Sequence, residues 1–120
     1  MRLEDGKLKK MQTRGSSLYK LNFFVPYEDK ERVKEALFKV GAGRYENYEC
    51  CCFETLGVGQ FKPINGAHPY IGELDKVEHV QEYKIEMICK ETLIKKAISV
   101  LKEVHPYEEV AYEVFRMEEL

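Results

Sequence analysis

A chain of 120 residues with a formal charge of −2 is near the commonest domain size and can bury one hydrophobic core. Its 19 Lys and Arg against 21 Asp and Glu lack the concentrated basic surface that nucleic acid demands. No apolar stretch reaches the ~20 residues of a membrane span.

Residues 1–17 are polar, carrying Arg2, Lys7, Lys9, Lys10 and Arg14 with no apolar run behind them. They read as a disordered arm or an expression remnant rather than a secretory signal. A reducing cytoplasm is then the expected compartment, with the four cysteines as thiols. Residues 18–118 are expected to form the single domain. It opens on a strand in which Tyr19, Leu21, Phe23 and Val25 alternate with Lys20, Asn22 and Phe24. Between Asp29 and Val40, Val33, Ala36, Leu37 and Val40 fall on one helical stripe that Gly41 stops. A second strand is expected over about Tyr48–Glu54, which places Cys50 in a core position and Cys51 on the opposite face.

The stretch from Gly57 to Gly72 is rich in turn formers, with Asn65-Gly66 a strong local turn. Gly57 and Gly59 are read as a hairpin bend, and the whole as a long folded hairpin. From Tyr83 the chain repeats itself at an offset of 64. Tyr83-Lys84-Ile85-Glu86-Met87-Ile88-Cys89 echoes Tyr19–Val25, and Ala97, Leu101 and Val104 echo Val33, Leu37 and Val40. A helix over Glu91–Val104 ends at His105-Pro106, because the residue before proline disfavours the α region. A closing strand is expected over Val110–Met117, with Tyr112 equivalent to Tyr48. Two βαβ halves with right-handed crossovers predict an α+β ferredoxin-like βαββαβ fold. Its four-stranded antiparallel sheet has order 4-1-3-2, with both helices on one face and the long hairpin between strands 2 and 3. The other face would carry Phe24, Ile88, Cys51, Phe53, Phe115 and Met117, apolar area that a homo-oligomer would cover.

Four blocks resemble a known family: Gly41-Ala42-Gly43-Arg44-Tyr45-Glu46-Asn47-Tyr48 with Cys50-Cys51-Cys52-Phe53; Gly57-Val58-Gly59-Gln60-Phe61-Lys62-Pro63; Gly66-Ala67-His68-Pro69-Tyr70-Ile71-Gly72; and His105-Pro106-Tyr107-Glu108-Glu109-Val110-Ala111-Tyr112. In order and spacing they resemble the domain inserted in YqfO-type Nif-three-like proteins, over about residues 18–118. The resemblance implies a fold similar to CutA and the PII signalling proteins, a trimer in preference to a dimer, and a stand-alone version of the insert. It also implies that the family's two-metal site lies in a flanking domain with no counterpart here, so no metal or other cofactor is expected.

The residues themselves leave the function open. Neighbouring cysteines on a strand point apart, and no second pair completes a thiolate metal site. Glu108 and Glu109 could flank a substrate, but adjacent carboxylates are more often a solvated edge. Gly57-Val58-Gly59 lacks the following helix that a phosphate loop requires. His105, at a helix end, reads first as a cap or hydrogen-bond donor and would gain from the helix dipole if protonated. His68-Pro69-Tyr70 and His105-Pro106-Tyr107-Glu108 break the local pattern, as functional sites do. Each sets an imidazole beside a phenol, suited to a polar or anionic ligand. They are the expected ligand-binding residues, with Gly57, Gly59 and Gly66 letting backbone come close. A non-enzymatic oligomeric module holding a small molecule or protein partner near the long hairpin is the leading expectation. A metal-handling domain in the CutA sense and an enzyme of unknown reaction are the alternatives.

Overall fold

The computed structural model describes residues 17–120, so the expected arm lies outside the described residues except for Ser17. Strand β1 (Leu18–Pro26) runs straight into helix α1 (Tyr27–Lys39). Then come β2 (Phe53–Phe61), β3 (Glu78–Lys90), α2 (Ile94–Val104) and β4 (Tyr112–Met117). All pairings are antiparallel and the order is β2-β3-β1-β4, which is the expected 4-1-3-2 read from the other edge. The two repeated strands lie side by side, Tyr19 opposite Cys89 and Val25 opposite Tyr83.

Period-two alternation does its work in this central pair. Leu21, Phe23 and Val25 of β1 and Ile85, Met87 and Cys89 of β3 turn inward and are buried. Val33 and Leu37 of α1 and Ala97 and Leu101 of α2 meet them from one side. Burying these side chains, at about 25 cal/mol per Å² of apolar surface, is the main force holding the two halves together. The opposite face is left open. Among its side chains, Phe53 is 67% exposed and Phe115 56%.

The repeat fails in the closing strands. Tyr48–Cys52 is not a strand: Tyr45 and Tyr48 exchange two backbone hydrogen bonds of 2.9 Å around a tight turn. Glu46 (φ 52°) and Cys50 (φ 61°) adopt left-handed backbone that a pleated strand cannot contain. Tyr48 is therefore an exposed loop residue, whereas Tyr112 is half-buried on β4, and the two are not equivalent. Cys50 is exposed rather than in the core, and Cys51 precedes the sheet instead of sitting on its open face. Regular pairing starts at Phe53, opposite Glu86, and continues to Phe61, opposite Glu78.

Gly57 and Gly59 consequently lie inside β2, not at a bend. Neither has a positive φ, so both fit extended backbone. β3 likewise begins at Glu78, well before Tyr83. The connecting loop, residues 62–77, makes its turn at Gly66 (φ 100°), where the Ala67 amide donates to the Ile64 carbonyl at 3.0 Å. The Asp75 amide closes the loop base on the Pro63 carbonyl at 2.7 Å.

Candidate functional site

The site grows from the place where β4 stops pairing with β1. Their last pair is Tyr112 with Phe23, and the next carbonyl on β1, that of Phe24, needs a donor. His105, the C-terminal cap of α2 and only 6% exposed, supplies it from Nε2 at 2.7 Å. Its Nδ1 accepts from the Tyr107 amide at 3.1 Å. A ring nitrogen that accepts carries no proton, so the proton is on Nε2 and the imidazole is neutral. Burial holds its pKa below the ordinary histidine value against the opposing pull of the Phe24 carbonyl, Asp29 and Glu82. His105 is a cap, and the charged form that the helix dipole would favour is suppressed.

With His105 fixed, Pro106 turns the chain and Tyr107 projects from it. The Tyr107 ring meets the His105 ring edge-on at 4.8 Å and lies 6.1 Å from Tyr70 and 6.4 Å from Phe61. Its hydroxyl donates to Glu82 Oε2 at 2.6 Å. Burial, and then this bond to a carboxylate, push the phenol far above its usual pKa. The hydroxyl is thereby held in its donor form.

The loop is pinned beside it. The His68 amide donates to Glu108 at 3.0 Å, and the Tyr70 hydroxyl reaches Asp29 Oδ2 at 3.5 Å. Asp29 is buried in the first turn of α1, where a carboxylate is favoured by the helix dipole. Arg32 donates to its Oδ1 at 2.8 Å and to the Val104 carbonyl at 2.5 Å. One cluster thus joins the start of α1, the end of α2 and the loop.

Between these parts is a cavity of about 530 Å³, the size of small-molecule sites. Its walls are largely apolar, with Phe24, Phe61, Ile64, Pro69, Tyr70 and Ile71 prominent. Its charged lining is Glu82, Glu108, Glu109 and Lys62. Gly59 lines it too, and a β-carbon there would run into the Glu82 carboxylate.

The two His-Pro-Tyr blocks therefore meet within one subunit. Tyr70, Tyr107, Glu108 and Gly59 line the cavity; the His68 side chain is exposed and only its backbone takes part. His105 stands behind the wall as support. Gly57 and Gly66 are not among the lining residues, and open space faces both. Phe24, Phe61 and Glu82 were not anticipated. Glu82 could have been found only from the strand register, which sets it opposite Gly57 and diagonal to Gly59. Among the described residues no three His, Cys, Asp or Glu side chains group as a metal site. No described helix is long and apolar enough to cross a membrane.

The architecture is that of ferredoxin-like domains of the CutA and PII kind. It matches CutA from Xylella fastidiosa with a TM-score of 0.61 at 17% identity, over 83% of each chain. It also matches GlnK of Bacillus subtilis, solved as an ATP complex, with a TM-score of 0.59 at 12% identity, over 88% of this chain and 85% of that one. Sequence draws a nearer link. A Halalkalibacterium halodurans protein named GTP cyclohydrolase 1 type 2 homolog is 44% identical over 103 residues, 86% of this chain and 28% of that protein. The crystal structure of a Bacillus cereus protein related to NIF3 matches with a TM-score of 0.75 at 36% identity, over 87% of this chain and 26% of that one. The chain is a homologue of one domain-sized part of these NIF3-related proteins. It spans between a quarter and a third of the length of the relatives it matches. No family model matches the chain.

Proposed function

We propose that this domain is a non-enzymatic binding module, assembled from several copies, that holds a small molecule between the β2–β3 hairpin and the segment leading into β4. The observation that carries this reading is the cavity itself. Two segments that the core does not require, at Tyr70 and Tyr107, converge on about 530 Å³ of mostly apolar space. The Tyr70 hydroxyl, the His68 amide and both the amide and hydroxyl of Tyr107 already have partners, which supports a shaped and pre-formed space. The same groups argue against chemistry. The imidazole of His105 is engaged at both nitrogens, and the Tyr107 hydroxyl is a poor acid in its surroundings.

Assembly is supported by the open face, where Phe53 and Phe115 stand exposed beside polar partners. A trimer is the form favoured, with a dimer as the alternative. Native mass spectrometry of freshly purified protein tests both parts at once. The expected result is a multiple of the 14.1 kDa chain carrying extra mass of small-molecule size. A bare monomer that also gains nothing from a small-molecule extract would refute the reading.

A further inference from the structure

The charge inside the cavity narrows the class of ligand, on the reading just proposed that the cavity holds one. Glu82 is half-buried, and its one hydrogen-bond partner among the described residues is the neutral Tyr107 hydroxyl. No Lys, Arg or His pairs with it among the described residues. Its second oxygen, Oε1, lies over the bare Cα of Gly59. Glu82 thus brings a carboxylate without a countercharge to the edge of an open cavity. Burial first, and then the hydrogen bond to Glu82 and its charge, push the Tyr107 phenol up, so it meets Glu82 as a neutral donor.

The rest of the charged lining is also net negative. Glu108, Glu109 and Lys62 are all exposed, and they set two carboxylates against one ammonium. The ring of Tyr107, whose hydroxyl bonds Glu82, lies 6.4 Å from Phe61 and 6.1 Å from Tyr70. Aromatic faces next to a carboxylate form a setting in which an organic cation is held by both charge and ring quadrupole. A phosphate or carboxylate would enter against three carboxylates with one ammonium to offset them.

We propose that the cavity binds a small organic cation, an ammonium group on an apolar body. The ammonium contacts Glu82 and the ring cluster, and the body packs on Ile64, Pro69 and Ile71. This departs from the polar or anionic ligand to which the imidazole–phenol pairs look suited in the sequence.

Three probes sharing one phenyl body separate the possibilities: 2-phenylethylammonium, 2-phenylethanol and 3-phenylpropionate. Each is titrated into the full chain at neutral pH while backbone amide resonances are followed. The ammonium should bind about tenfold tighter than the alcohol, with the carboxylate weakest. The moving amides should include Gly59, Phe61 and Tyr107. Glu82→Gln, which still accepts from Tyr107, should erase the preference. If the alcohol or the carboxylate binds as well as the ammonium at the same amides, the cation assignment falls and the pocket reading stands. If none of the three moves those amides, both fall. A preference that survives Glu82→Gln overturns the role of Glu82, and the wild-type comparison decides the ligand class even if the variant does not fold.

Discussion

The carboxylate of Glu82 occupies the volume that a side chain at position 59 would need. Gly59 lies in extended backbone, so its use here is room and not a left-handed turn. That room lets Glu82 lie across β2 and take the hydrogen of Tyr107.

Gly59→Ala should therefore swing Glu82 away from Tyr107. The acceptor is the flexible end of a side chain, so the fold survives at a cost of about 1 kcal/mol. The Tyr107 phenol, relieved of the neighbouring carboxylate, should ionise at lower pH than in the wild type. Following phenolate absorbance during an alkaline titration reads this directly, and an unchanged Tyr107 would show that Glu82 had not moved.

His105 predicts an acid-side loss of stability. Its native pKa lies below the ordinary value of 6.5, so the unfolded chain takes up the proton first as pH falls. Its contribution is complete above about pH 6.5 and is lost as pH drops toward the depressed native value. Urea denaturation between about pH 7 and pH 5 should show this slope in the wild type and not in His105→Gln. The variant should also lose about 1–3 kcal/mol at neutral pH by leaving the Phe24 carbonyl poorly capped. Equal slopes in the two proteins would place the acid sensitivity elsewhere.

Glu54 gives a second, lower window. On the helix side of β2 it accepts from Lys30 at 2.8 Å and also from Lys34, both largely buried along α1. The hydrogen bonds from Lys30 and then Lys34 hold its carboxyl below its ordinary value of 4.5. The stability it adds is present above that value and is lost as pH falls through the lower native pKa. Glu54→Gln should cost about 1 kcal/mol at pH 7 and almost nothing in strong acid. A cost that stays the same from neutral to strongly acid pH would mean that the charge contributes nothing.

The thiols should separate by position. Cys50 is exposed on a left-handed loop residue, whereas Cys89 is buried and its thiol pushed up by burial. A thiol-reactive dye at neutral pH should label Cys50 rapidly and Cys89 only on unfolding. Peptide mapping after brief labelling would expose a reversed order.

The central strands and both helices were legible because each repeats its apolar period twice at the offset of 64. β2 was not. Tyr48 to Phe53 imitates a strand in composition, but φ values above zero at Glu46 and Cys50 are set by a turn that no periodicity announces. Gly57 and Gly59 look like a bend because glycine serves equally for turning and for making room, and only the strand partner tells which. The His-Pro-Tyr blocks were visible as breaks in the pattern. Glu82 was invisible for the opposite reason: in Val80-Gln81-Glu82 it passes for an ordinary solvated strand residue. His105 was recognisable as a cap, but its target, the Phe24 carbonyl, is 81 residues away.

β2 and β3 run on past Glu82, which is opposite Pro26, the last residue of β1. From there to Phe61 and Glu78 the sheet is a ribbon two strands wide, and such ribbons are marginal by themselves. Gly59 and Phe61 belong to the ribbon, whereas Phe24 and Tyr107 belong to the body. Fraying of the ribbon would open the cavity without disturbing Leu21 or Ile85, at far less cost than melting the domain. The residence time of an occupant is then set by this local event. The amides of Gln60 and His79 should accordingly exchange with deuterium long before those of the central pair.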